Sequence, residues 1–367
     1  MPAWWPKRSK PSRSAPSRAS VDDFWSWWTQ EGASTAARAI SNGTAERLVP
    51  LIAPRVRALH PDLAWELAPG PDGSEHVLVV TAEGDPKLRA HARRWLLGAP
   101  PPDRTWAYSD SRLPGDDEPL QLSVGDHEIT SDDVVVAWSL DDRHDCLDVT
   151  VHHPAMAQMP EQVRQQLTLV LLDHTLGETT VETWIGGIES AVGPLPTPVA
   201  DQDKNDDDDG DGVGGLPQLR AAVSALADSR VDDDGTPIWK LAESTADDGS
   251  VTLALFRVPL RSASAPHLEQ HVELTLPFRH VTEAGLPDAP SLQALRAFTD
   301  EAEAALSPHA MLVAHESSAG RRVLHFYVDP LSDAGERLRQ RSAAWSEGPS
   351  EFRSTPDPAW EQVAHLR

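Results

Sequence analysis

The 367-residue chain holds one cysteine, Cys146, which excludes an internal disulfide framework and any all-cysteine metal site. Lysine is almost as scarce, with five against 27 arginines. Positive charge is short overall: 32 basic residues face 57 acidic ones, a formal net charge of −25. A field of that sign repels phosphate backbones, so nucleic acid is not an expected partner. No apolar run approaches the ~20 residues needed to span a bilayer, and no membrane partner is expected. The N-terminal stretch MPAWWPKRSKPSRSAPSRAS lacks the apolar stretch of a secretory signal, so the expected compartment is the cytoplasm.

What is present suits two domains of ordinary size. Residues 1–19, rich in Pro, Ser and basic residues without one acid, read as a disordered tail. An α+β domain is expected over 20–193, opened by Ser20 as a helix cap and by Phe24, Trp27 and Trp28 on one helical face. A second helix carries Leu48, Ile52 and Val56, and a third covers 86–98. Strands are expected at 76–80, 133–140 and 146–151, the last two joined as a hairpin through DDRHD. A long amphipathic helix follows Pro160 and ends at Gly177. Residues 194–216 read as a flexible acidic linker, because 201–212 carry seven Asp against one Lys. A second α+β domain is expected over 217–367, with strands either side of a helix capped by Ser291. Both domains are expected to be antiparallel sheets covered by helices. The stretches 63–80 and 237–255 share W-x-L-A and D-G-S and read as two acidic hairpins, alike by chance.

The segment LGETTVETWIGG (176–187) raises the question of a paired-carboxylate site. Alternation from Glu178 onward predicts a strand with Glu178, Glu182 and Trp184 on one side, broken by Gly186 and Gly187. Without a third strongly polar group nearby, that face is a candidate contact for a protein partner rather than an acid/base pair. Gly210, Gly212 and Gly215 satisfy G-x-G-x-x-G, but the aspartates before them would repel a pyrophosphate. The calcium-loop likeness of Asn205, Asp207 and Asp209 fails at Leu216, where a glutamate belongs. His144, Cys146 and His152 form the best metal candidate, yet a straight strand holds His152 ~20 Å from Cys146 at ~3.3 Å per residue. His267, Glu269 and His271 share a strand face with non-helical spacing and read as a polar outer surface.

The run GLPDAPSLQALRAFTDEAEAAL, with RRVLHFYVD after a glycine turn, resembles the bacterial family of unknown function numbered 695, from about Ile238 to Asp329. The tail TPDPAWEQVAHL is similar to the end of ribonuclease E inhibitor proteins of the RraB type. FWSWW, VHHPA and LGETTVETWIG are similar to the region upstream of that domain in related proteins. The resemblance carries no catalytic residue to transfer. The expected function is binding or regulation through protein–protein contacts, with no catalytic residue and no cofactor assigned. The alternatives are inhibition of an RNA-degrading enzyme, which the resemblance implies, and a metal-assisted hydrolase using His144, Cys146 and His152 with Asp148.

Overall fold

A computed structural model describes residues 18–71, 73–116, 118–195, 210–246 and 249–367. The basic tail, apart from Arg18 and Ala19, and the linker over 196–209 lie outside the described residues. The chain divides into two compact units, Met1–Asp142 with Cys146–Leu226, and Arg143–Asp145 with Ala227–Arg367. Helices and sheets alternate in both, an α+β architecture.

The first unit opens with α1 (Arg18–Trp27), which passes through a π-turn (Trp28–Gly32) into α2 (Ala33–Ser41). Ser20 therefore lies inside α1 rather than capping it. Of the expected stripe Phe24 and Trp28 are buried, but Trp25 is buried in place of Trp27, which is only partly so. Trp25 stacks on Trp95 with ring centroids 4.8 Å apart and donates its indole N–H to the Trp95 carbonyl at 2.7 Å. The acceptor satisfies the indole N–H that burial takes from water. The helix α3 (Val49–Leu59) holds Pro54 inside it, and Ile52 and Val56 enter the core.

Next come β1 (Ala64–Pro69), β2 (His76–Thr81), α4 (Pro86–Leu97) capped by Asp85, and β3 (Trp106–Ser109). The sheet order is β1-β2-β3, and β2 pairs with β3 in parallel. Leu78 and Val80 on one side of this sheet pack with Trp28, Trp95 and Trp106. Each large apolar side chain fully buried there contributes ~1.5–3 kcal/mol.

A hairpin of β4 (Gln121–Val124) and β5 (His127–Thr130) leads to β6 (Val135–Asp141) and β7 (Cys146–His152), which pair as expected. The amphipathic helix is α5 (Glu161–Leu176), ended by Gly177 at φ 79°. After it the expected strand is instead a helix, α6 (Glu178–Trp184), and β8 (Ile185–Ala191) begins only where the glycine pair approaches. Gly186 and Gly187 do not break that strand. They permit it, because a Cβ on Gly186 would stand 2.6 Å from the Cys146 sulfur, and one on Gly187 2.9 Å from an Asp148 oxygen.

Part of the expected linker is ordered. Gly212–Gly214 forms β9 beside β6, and a Cβ on Gly212 would stand 2.4 Å from the Trp138 ring. The glycines serve that close approach. The four-stranded sheet, ordered β8-β7-β6-β9 with β7 and β8 parallel, is covered by α5 and by α7 (Leu216–Asp228). Leu216, Leu219, Val223 and Leu226 of α7 belong to its core, so the first unit extends to Leu226.

The second unit is one antiparallel six-stranded sheet, built from β10 (Trp239–Thr245), β11 (Val251–Arg257), β12 (Gln270–Pro277), β13 (Ala310–Ser318), β14 (Arg321–Val328) and β15 (Glu351–Pro356). The spatial order is β10-β11-β13-β14-β12-β15. The helices α8 (Ala289–Leu306) and α9 (Ala334–Ala343) cover one face through Leu295, Phe298, Ala302 and Leu338 against Val272, Leu274, Leu324 and Phe326. The C-terminal 3-10 turn (Glu361–Leu366) helps cover the other through Val363, beside Trp360 and Tyr327. Asp288 rather than Ser291 caps α8; the Ser291 hydroxyl instead accepts from the His280 amide and donates to Glu347.

The 63–80 and 237–255 hairpins both form, but β2 continues into a parallel neighbour and β11 into an antiparallel one. A closer likeness lies elsewhere. VDDDGTP (231–237) and VTEAGLP (281–287) each close with a Val-to-Pro bridge, a glycine at φ 74° and the same backbone hydrogen bonds.

Candidate functional site

The glutamates of LGETTVETWIGG stand one helical turn apart on α6, so they share a helix face instead of a strand face. Glu178 is 2% exposed. Its carboxylate accepts from the Thr81 hydroxyl, the Gly84 amide at 2.9 Å and the Arg112 amide at 3.0 Å, and its own amide donates to the Arg112 carbonyl. Such a carboxylate joins the end of β2, the turn before α4 and the segment after β3, and it has little capacity left for a partner.

One turn on, a Glu182 oxygen lies 3.0 Å from the Arg89 guanidinium. That guanidinium also donates to the Asp110 carbonyl and the Thr179 hydroxyl, each at 2.8 Å. Arg93 pairs with Asp110 at 3.0 Å, and Arg112 reaches Glu66, Glu83 and Asp173. Burial, with neighbouring carboxylates adding to it, pushes Glu182 up to about 7 and Asp173 up to about 6. Trp184 is partly buried against the core of the four-stranded sheet. Glu178 is thus placed in the framework, away from solvent, and Trp184 is largely so.

The metal candidates do not gather. Cys146 and His152 stand at opposite ends of β7, facing Asp141 and Val135 respectively, and His144 lies in the turn before it. The His152 ring meets the Ala191 carbonyl at 3.1 Å. Among the described residues, no group of three or more His, Cys, Asp or Glu stands ready to hold a metal ion.

The second unit holds a chain of side chains that spacing did not reveal. His271 is 2% exposed rather than part of a polar outer face. Its Nε2 lies 3.0 Å from Nδ1 of His325, whose Nε2 lies 3.1 Å from Glu316, and the same Glu316 oxygen meets His365 at 2.9 Å. One proton order satisfies every contact: His271 donates to His325, and His325 and His365 both donate to the carboxylate. Hydrogen bonding from His325, joined by His365 against the effect of burial, holds Glu316 down to about 2. Burial, and then the facing His325, push His271 down to about 4. Tyr327, against the His271 ring, donates to Asp357, which also accepts from the Glu361 and Gln362 amides. The C-terminal turn is thereby tied to the sheet at two points. No local motif could announce this chain, because its members come from β12, β13, β14 and the last turn.

The most accessible feature of the second unit is an edge. Among the described residues β10 pairs with β11 only, and Leu241–Thr245 are all exposed, Leu241 by 64%. No proline or glycine interrupts these five residues. An open strand edge presents N–H and C=O groups in the pattern another strand completes.

Residues 238–364 match the model of a family of unknown function (DUF695), so the region resembling that family covers nearly the whole second unit and includes the open edge, the histidine chain and the C-terminal turn. No curated protein and no solved structure matches the chain.

Proposed function

We propose that this chain is a non-catalytic binding or regulatory protein that acts through protein–protein contacts made by its second unit. The observation that carries the reading is the open edge of β10, where five consecutive exposed residues border a six-stranded sheet. Strand addition at such an edge draws affinity from main-chain hydrogen bonds and specificity from alternate side chains. Natural sheets blunt their edges with proline, bulges, charges or cover, and Leu241–Thr245 carries no proline and no bulge, with Glu243 its one charge. The two carboxylate and histidine networks support the reading from the other side: their buried members hold elements together.

The test uses the full chain as bait in a lysate of its own cells, beside Leu241→Lys and Thr245→Pro variants whose folding is verified by circular dichroism. A partner retained by the parent chain and lost from both variants supports the reading. Retention that neither variant changes would refute it.

A further inference from the structure

We infer that the strand accepted by the β10 edge is a basic, extended segment of a partner protein. This inference rests on the binding reading above and adds the chemistry of the partner. The edge has acid before it and within it. Asp232, Asp233 and Asp234 occupy the turn closed by the Val231–Pro237 bridge just before β10, and Glu243 stands exposed on the strand. The one lysine between 231 and 248, Lys240, is ion-paired with Asp145.

Side-chain direction sets the pattern that an incoming strand must carry. Leu241 and Glu243 are two apart and share a face with Trp239, while Ala242 and Ser244 occupy the other. An antiparallel strand with a basic side chain opposite Glu243 and an apolar one opposite Leu241 pairs charge with charge and covers the exposed leucine. A second copy of this chain is disfavoured by its own net charge of −25. A partner strand bearing acids would place like charges side by side along the edge.

The experiment uses the full chain and an N-acetylated, fluorescently labelled peptide, Lys-Thr-Val-Thr-Lys-Thr-Lys-Thr, with an analogue in which each Lys is Glu. Binding is read by polarisation at two salt concentrations, and the docking place by amide hydrogen exchange. The expected result is saturable binding of the basic peptide, slowed exchange over 241–245, and weakening of about tenfold or more when salt is raised until the Debye length falls well below ~8 Å. Glu243→Lys, and separately the pair Asp233→Asn with Asp234→Asn, should each weaken it while leaving the exchange of β12 and β14 unchanged. Equal binding of both peptides at 241–245 would overturn the charge requirement and leave strand docking standing. Absence of protection at 241–245 with either peptide would overturn the inference, while the lysate experiment still decides the broader reading.

Discussion

The two units each bury a network of ionisable side chains, and the networks are built from different chemistry. The first sets permanently charged arginines, Arg89, Arg93 and Arg112, against Glu66, Glu83, Asp110, Asp173, Glu178 and Glu182. The second uses His271, His325 and His365 around Glu316 alone. The difference shows in how each should answer to pH.

In the first unit, Glu182 and Asp173 are raised, to about 7 and about 6, while burial, aided by His60 and Arg94, lowers His91 to about 4. A raised carboxyl contributes stability that is complete below its unfolded value near 4.5 or 3.8 and is lost as pH rises through its folded value. A lowered histidine contributes stability that is complete above 6.5 and is lost as pH falls toward 4. These trends oppose one another over the same window. In the second unit His271 and His315 are both lowered to about 4 by burial first, and Glu316 to about 2, so all three lose stability as pH falls.

The largest effect expected concerns Glu178. Its replacement by Ala strands three donors, and removing one member of a buried charged set costs ~3–5 kcal/mol. Urea unfolding of the first unit should show that loss, and a change below about 1 kcal/mol would mean the carboxylate is not a tie. Next comes the pH contrast itself. Between pH 6.5 and 4 amide exchange in β12 and β14, taken relative to the intrinsic rate at each pH, should accelerate, with His271 accounting for up to about 3 kcal/mol at ~1.4 kcal/mol per unit. Over the same range β2 and β3 should change much less. Equal acceleration in both units would erase the comparison.

Smaller is the effect of Glu182→Gln. Because a neutral side chain suits that position, the variant should match the parent near pH 4.5 and exceed it by about 1–2 kcal/mol at pH 8. A variant less stable at pH 8 would show that Arg89 needs the charge. Smallest is His365→Ala, whose side chain is 52% exposed; loss of its contact to Glu316 should cost less than about 1 kcal/mol in thermal unfolding of the second unit.

Periodic patterns were the legible part of the fold. The amphipathic repeat of 161–176, the β6–β7 hairpin and the turn glycine at 177 were readable because each depends on neighbours in sequence. The segment after Gly177 was misread for a specific reason. T-T-V-E-T-W-I alternates like a strand, but its helix is fixed by Glu178 reaching the Thr81, Gly84 and Arg112 groups and by Thr179 and Glu182 reaching Arg89. Contacts of 60 to 100 residues' separation leave no local trace. Likewise Gly212 looked like part of a flexible tether, although its missing Cβ makes room for Trp138 some 70 residues earlier.

The sequence alone determined the acidic charge, the single cysteine, the alternation of helices with strands and most of the buried helical faces, since composition and short-range periodicity decide those. Tertiary structure alone decided which ionisable groups meet, that Glu178 and His271 turn inward, and that β10 ends its sheet. Those outcomes depend on strand order, and strand order follows from long-range packing that no window of sequence contains.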